Sequence, residues 1–151
     1  MREILFRGKR TDNGEWVYGG ILQTDNGSEI SVVTDYYGSM YEPPSCEVDS
    51  YEVISETVGQ YTGLTDKNGT KIFEEDIIKS GSYEFLVSHG KCGGCNNTDN
   101  YGYIGFHLEP ANEETKIYMG YGLRDDICYY TEAEVIGNIH DNPELLKRSN
   151  D

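Results

Sequence analysis

The residues best suited to chemistry in this chain are its four cysteines and three histidines. Two of the cysteines fall in H-G-K-C-G-G-C-N-N, where Cys92 and Cys95 flank a Gly-Gly pair and His89 stands three residues before Cys92. Thiolates and imidazoles at this spacing suit tetrahedral zinc, which takes four donors, commonly from two such knuckles. The second knuckle is missing. Cys46 and Cys128 stand alone in the sequence, so closing a site needs the fold to bring in both of them, or to recruit His89 or His107. A redox pair needs its first cysteine at a helix N-terminus, where the thiolate is stabilised. N-N-T-D-N-Y-G-Y after Cys95 reads as a turn and then a strand. The stretch is therefore read as a Gly-rich hairpin tip between Tyr83–Ser88 and Tyr101–Leu108 carrying incidental thiols. No metal and no cofactor is assigned, and Cys128 is the ligand to look for if a metal is found.

No nucleophile–base set stands out either. His107 lies in F-H-L-E, where strand alternation makes it a paired surface or rim residue, and His140 in N-I-H-D-N-P is placed to help cap a terminal helix. The acidic clusters Glu74–Asp76, Glu113–Glu114 and Asp125–Asp126 are isolated groups of the kind found on solvated faces. Neither a G-x-x-x-x-G-K-[ST] phosphate loop nor a G-x-G-x-x-G fingerprint is present. The expectation is a protein with no catalytic residues, not an enzyme.

The elements that carry these residues read as strands. T-D-N-G occurs at Thr11–Gly14 and Thr24–Gly27, and T-D-K-N-G at Thr65–Gly69. Asn-Gly suits the type I′ hairpin turn, whose two central residues take φ > 0. Short runs rich in Val, Ile, Tyr, Phe and Trp flank each turn. Further strands are expected at Ile77–Lys79, Tyr83–Ser88, Tyr101–Leu108, Lys116–Gly120 and Ala133–Ile139. In S-Y-E-F-L-V-S the residues Tyr83, Phe85 and Val87 share a face. Ser39–Ser50 contains Pro43-Pro44, which cannot continue a central ladder, so it reads as a linker or extended loop. D-N-P-E-L-L-K-R-S-N reads as a short C-terminal helix, with Asn142 capping, Pro143 at the first position, and Lys147 and Arg148 near its negative end.

At 151 residues the chain suits one domain or two small ones, and its net charge of −15 argues against generic binding to nucleic acid or an anionic membrane. No apolar run approaches the roughly 20 residues of a membrane span, and the N-terminus lacks a signal-like apolar stretch. A cytoplasmic protein with reduced cysteines is expected. Arg2, Arg7, Lys9 and Arg10 gather near Phe6 and Trp16. They are read as a first strand pairing with an acidic body rather than as an anion-binding surface. The thirteen tyrosines pack a core and rim, with an exposed patch that forms a homo-oligomer or captures a partner as the second option.

Four separated blocks carry a resemblance. R-E-I-L-F-R-G-K-R at the start, W-V-Y-G at Trp16, V-G-Q-Y-T-G-L-T-D-K-N-G-T-K-I-F-E-E-D-I-I-K from Val58 to Lys79, and V-I-G-N-I-H-D-N-P-E-L-L near the end resemble, in order, the YopX family. These are small proteins of bacteriophages and prophages of Gram-positive bacteria. The resemblance implies an all-β fold with an SH3-like barrel, and it transfers no catalytic or ligand residue. One position departs from the pattern. The family reads F-E-G-D where this chain has Phe73-Glu74-Glu75-Asp76, so Glu75 implies either an ordinary φ or strain at that turn.

The expected architecture is an N-terminal antiparallel β module over 1–56, then an SH3-like barrel over 57–151 with a short C-terminal helix. The expected function is a non-enzymatic interaction module in the bacterial host cytoplasm with a protein partner and no membrane. A DNA mimic that sequesters a basic DNA-binding protein is the alternative, and a zinc-stabilised binding protein the second alternative.

Overall fold

The computed structural model describes residues 3–92, 103–120, 127, 130 and 132–146. Arg2, Cys95, Tyr101, Asp125, Asp126, Cys128, Lys147 and Arg148 lie outside them, with the expectations placed on them. The fold is all-β, with ten strands and one α-helix among the described residues. The chain divides into two compact units, Met1–Tyr61 and Thr62–Asp151, and the division falls inside one strand.

The first unit contains β1 (Phe6–Lys9), β2 (Trp16–Thr24), β3 (Gly27–Ser39), β4 (Glu42–Val53), a 3-10 turn (Ser55–Thr57) and the start of β5 (Gly59–Thr65). All pairings are antiparallel, in the order β4-β3-β2-β1-β5. The sheet also returns on itself. Arg10 bridges Val53, with the Thr11 N–H donating to Glu52 O at 3.0 Å and the Ile54 N–H to Lys9 O at 2.8 Å. This brings the inner end of β4 back against the end of β1, around the buried residues Ile30, Val53 and Tyr61.

Hairpins form at T-D-N-G as expected, but the turns are not type I′. That turn requires φ > 0 at both central residues. Here only the glycines Gly14, Gly27 and Gly69 have it, while their asparagines do not. The glycine supplies the conformation barred to a side chain, and the neighbouring polar side chains tie the loop. Asn13 Oδ1 accepts the Glu15 N–H at 2.9 Å.

Ser39–Ser50 is a correction. It is not a linker but the tip of β3 and most of β4, paired in register from Val33↔Val48 to Ser39↔Glu42. The prolines fit because β4 ends the strand order and the pairing shifts between Tyr37/Ser39, beside Pro43-Pro44. At an edge or a bulge a missing N–H breaks no ladder bond.

The second unit contains the end of β5, β6 (Lys71–Phe73), β7 (Asp76–Ser80), β8 (Tyr83–Cys92), β9 (Tyr103–Pro110), α1 (Glu113–Gly120), β10 (Glu134–Asn138) and a 3-10 turn at Pro143–Leu146. Its four-stranded sheet runs β10-β7-β8-β9. Among the described residues no pairing joins β10 to β9, so SH3-like closure of this unit stays an expectation. Phe85, Val87, Ile78 and Leu108 form its core with Ile72, Ile127 and Ala133. Tyr83 packs against the cluster, on the face the alternation assigned it. Each fully buried side chain of this size contributes about 1.5–3 kcal/mol.

Lys116–Gly120 is a second correction: it is helix, not strand. Asn112 decides it. Its Oδ1 accepts the Thr115 N–H at 2.8 Å, and its carbonyl accepts the Lys116 N–H at 3.0 Å, which satisfies the first turn. The helix is then anchored through Thr115, fully buried, whose Oγ1 accepts the Glu84 N–H at 3.0 Å. The C-terminal helix is a 3-10 turn within the described residues, opened by Leu145 N–H to Asn142 O at 3.0 Å.

Candidate interaction surface

The three histidines singled out for metal or acid–base chemistry have local partners. His89 and Cys92 belong to β8 rather than to a loop tip, opposite Phe106 and Tyr103, because the β8–β9 ladder extends past Ser88. The His89 ring packs edge-on against Phe106 at 4.8 Å. Among the described residues no group of three or more His, Cys, Asp or Glu could hold a metal ion. His107 is more deeply placed than a rim residue, being buried, with Nδ1 3.2 Å from Gly105 O and Nε2 3.3 Å from Glu109 Oε1. His140 Nε2 lies 2.6 Å from Glu75 Oε2.

Two carboxylates serve turns. The buried Asp76 accepts the Phe73 N–H at 2.8 Å at the corner before β7, so it does not lie on a solvated face. Asp66 Oδ1 accepts the N–H groups of Asn68 (2.8 Å) and Thr70 (2.9 Å), and its Oδ2 that of Val135 (3.1 Å). Burial pushes the Asp66 carboxyl up. The N–H groups of Val135, Thr70 and Asn68 outweigh that and hold it below the ordinary carboxylate value. A third carboxylate, Glu84, is buried between Lys79 Nζ (3.3 Å) and Asn112 Nδ2 (3.2 Å) and ties α1 to the sheet.

The basic cluster near the start is engaged with aromatic faces. Arg7 is buried with its guanidinium 4.7 Å from the Trp16 ring, and Lys9 Nζ is 5.7 Å from the same ring. Arg10 lies 4.4 Å over Tyr51 and pairs with Asp12. Such stacking holds the cations against the unit's own surface.

What the first unit displays is the outer part of β3 and β4. Every position from 33 to 50 is exposed. Met40 (91%), Tyr41 (90%), Tyr36 (67%) and Val33 (60%) are far more open than apolar side chains in a packed sheet. The two faces of this ribbon differ. Ser31 and Ser50 hydroxyls meet at 3.0 Å, and the register places Val33 opposite Val48 and Tyr36 opposite Cys46 on that same face. On the other face Asp35 stands opposite Glu47, and Asp49 opposite Val32. The acidic pair acts on the Tyr37 hydroxyl: interaction with Asp35 first, then desolvation and Glu47, raise the phenol above its ordinary pKa.

A two-stranded ribbon with both faces in water is marginal by itself, and like charges directly across strands oppose it further. One signal for this surface was legible but missed. From Thr11 to Asp66 the chain has eleven Asp and Glu and no Lys or Arg.

Comparison with known proteins places the chain. A family model described as "YopX protein" matches residues 5–147. The chain belongs to the YopX family. No curated protein matches it. Among solved structures, the crystal structure of protein EF1440 from Enterococcus faecalis is similar, at 28% identity over 97% of this chain and 99% of that one, with a TM-score of 0.50. No helix among the described residues is long and apolar enough to cross a membrane.

Membership in the YopX family sharpens the reading of Glu75. It is the one non-glycine residue with positive φ (68°) among the described residues, so of the two expectations for the turn, the strained one holds. Its neighbours impose it. The Glu75 N–H donates to Val87 O at 2.8 Å, its carbonyl accepts the Ile139 N–H at 3.2 Å, and its carboxylate meets His140. A left-handed conformation costs a side-chain-bearing residue about 1–2 kcal/mol; the His140 contact offsets part of it.

Proposed function

We propose that this YopX-family chain is a non-enzymatic interaction module that acts on a protein partner in the cytoplasm of a bacterial host, as a phage or prophage accessory protein. The observation that carries the reading is the outer β3–β4 ribbon. It exposes Val33, Tyr36, Met40, Tyr41 and Val48 on an element that a monomer gains little by extending into water. Exposed aromatic and methionine side chains in one place are the composition of a docking surface.

The ribbon favours a protein partner over imitation of DNA. Carboxylates on one face of a strand recur every second residue, so Glu47 and Asp49 stand about 7 Å apart. A DNA strand carries its phosphates in an unbroken run with no apolar face among them. The ribbon instead groups Asp35, Glu47 and Asp49 on one face and backs them with exposed Val33, Tyr36 and Val48 on the other, which suits discrete contacts with Lys or Arg on a protein.

The test is affinity capture from phage-infected host cells with the wild-type chain and with Tyr36→Ala/Met40→Ala/Tyr41→Ala. A partner held by the first and lost by the second supports the reading. Equal capture by both, or no partner in repeated trials, ends it.

A further inference from the structure

We infer that the outer edge of β4 takes up an extended, basic segment of a partner protein as an added strand, with side chains alternating between apolar and Arg or Lys. This rests on the interaction-module reading and names the partner's chemistry.

The free edge follows from the ladder. Glu52 O and the Ile54 N–H point away from β3, since they bond Thr11 and Lys9 on the far side. Backbone groups in a strand alternate sides with a period of two. Ser50, Val48 and Cys46 therefore turn their N–H and C=O groups outward as well. Beyond the Arg10–Val53 bridge β4 is the last strand in the order, so among the described strands none covers these groups. Such an edge is a template for strand addition.

The two faces say what the strand must carry. Side chains of an added strand alternate in step with those of β4. One set lies beside Val48 and Cys46, where apolar residues extend the stripe that Val33 and Tyr36 begin on β3. The other set lies beside Glu47 and Asp49, where Asp35 adds a third carboxylate and no residue from Thr11 to Asp66 supplies a cation. Lys or Arg in that set relieves the Asp35–Glu47 opposition. A second copy of this chain is the poorer occupant: antiparallel pairing of two β4 edges centred on Val48 sets Glu47 against Asp49, and like charges across a pair are unfavourable. Pro43 and Pro44 end the usable edge at Cys46, because proline has no N–H to give.

The experiment uses the full chain, an eight-residue peptide alternating Arg and Val, and a matched Glu–Val peptide. Titration is followed by fluorescence anisotropy and by amide hydrogen exchange. The Arg–Val peptide is expected to bind, and to slow exchange at Val48 and Ser50 more than at the inward-facing Glu47 and Asp49. Glu47→Lys is expected to weaken it about tenfold or more, with binding that falls as salt rises, and N-methylation of alternate peptide amides is expected to abolish it. The inference is overturned if the Glu–Val peptide binds as well, if exchange at Val48 and Ser50 is unchanged, or if sedimentation shows the chain pairing with itself through β4. If infected-cell capture still depends on Tyr36, Met40 and Tyr41 while the peptide fails, strand addition is wrong and the interaction reading stands. If capture ignores those residues too, both fall.

Discussion

Replacing Asp66 by asparagine tests the account of how the second unit is held. Asp66 is buried and accepts three backbone N–H groups, two on Oδ1 and that of Val135 on Oδ2. In Asp66→Asn the amide oxygen keeps the first two, but the NH2 group then faces the Val135 N–H, donor against donor. Leaving one buried backbone donor unmatched costs about 1–3 kcal/mol, so a loss of about 2 kcal/mol is expected. For a chain of this size that corresponds to a Tm lower by about 4–8 °C. The pH dependence has a definite sign. The folded-state pKa lies below the ordinary value, so the carboxylate stabilises the fold above about pH 4, its unfolded range, and that contribution is lost as pH falls through the folded value. Urea unfolding of both proteins, followed by circular dichroism from pH 7 to pH 3, should show the full difference at pH 7 and a shrinking one below about pH 4. Equal stability at pH 7, or a difference that grows on acidification, refutes the clamp.

Four other outcomes are expected. A Cβ on Gly19 would lie 2.1 Å from the backbone oxygen of Ser31, whereas one on Gly20 would lie 4.0 Å away. Gly19→Ala should therefore cost about 1–3 kcal/mol or more, and Gly20→Ala far less, by urea unfolding monitored at Trp16. His140→Ala should cost about 0.5–1 kcal/mol beside Glu75 and close to nothing in a Glu75→Gly background, a double-mutant cycle that isolates their contact. Met40→Ser with Tyr41→Ser should leave stability within about 0.5 kcal/mol of wild type, since both side chains stand in water. Elemental analysis of protein purified without chelator should find no stoichiometric zinc; one equivalent that disappears in Cys128→Ser would reverse the assignment of the cysteine pair.

Local chemistry carried much of the structure in readable form. The all-β class, the hairpins at three Asn-Gly turns, and the shared face of Tyr83, Phe85 and Val87 all depend on a residue and its near neighbours. The family blocks were legible for the same reason, since turn glycines and turn carboxylates sit at fixed offsets. Helix α1 was missed because what decides it lies outside its own run: Asn112 caps it, and Thr115 buries its hydroxyl against Glu84, 31 residues away.

What the sequence by itself determined is the local vocabulary: short strands, glycine turns and a surplus of acid. What only the tertiary structure decided is which strand stands at an edge. Pro43-Pro44 reads as a break when every strand is assumed to be central. At the end of the sheet the same pair is tolerated, because one of its two nitrogens faces away from β3 and the pairing shift between Tyr37 and Ser39 spares the other a ladder bond. That one fact turns Ser39–Ser50 from a linker into a strand, sets Val33, Tyr36 and Val48 on one exposed face and Asp35, Glu47 and Asp49 on the other, and leaves the outward backbone of Cys46, Val48 and Ser50 free to pair. Edge position is a property of the whole sheet order, and no local pattern of residues encodes it.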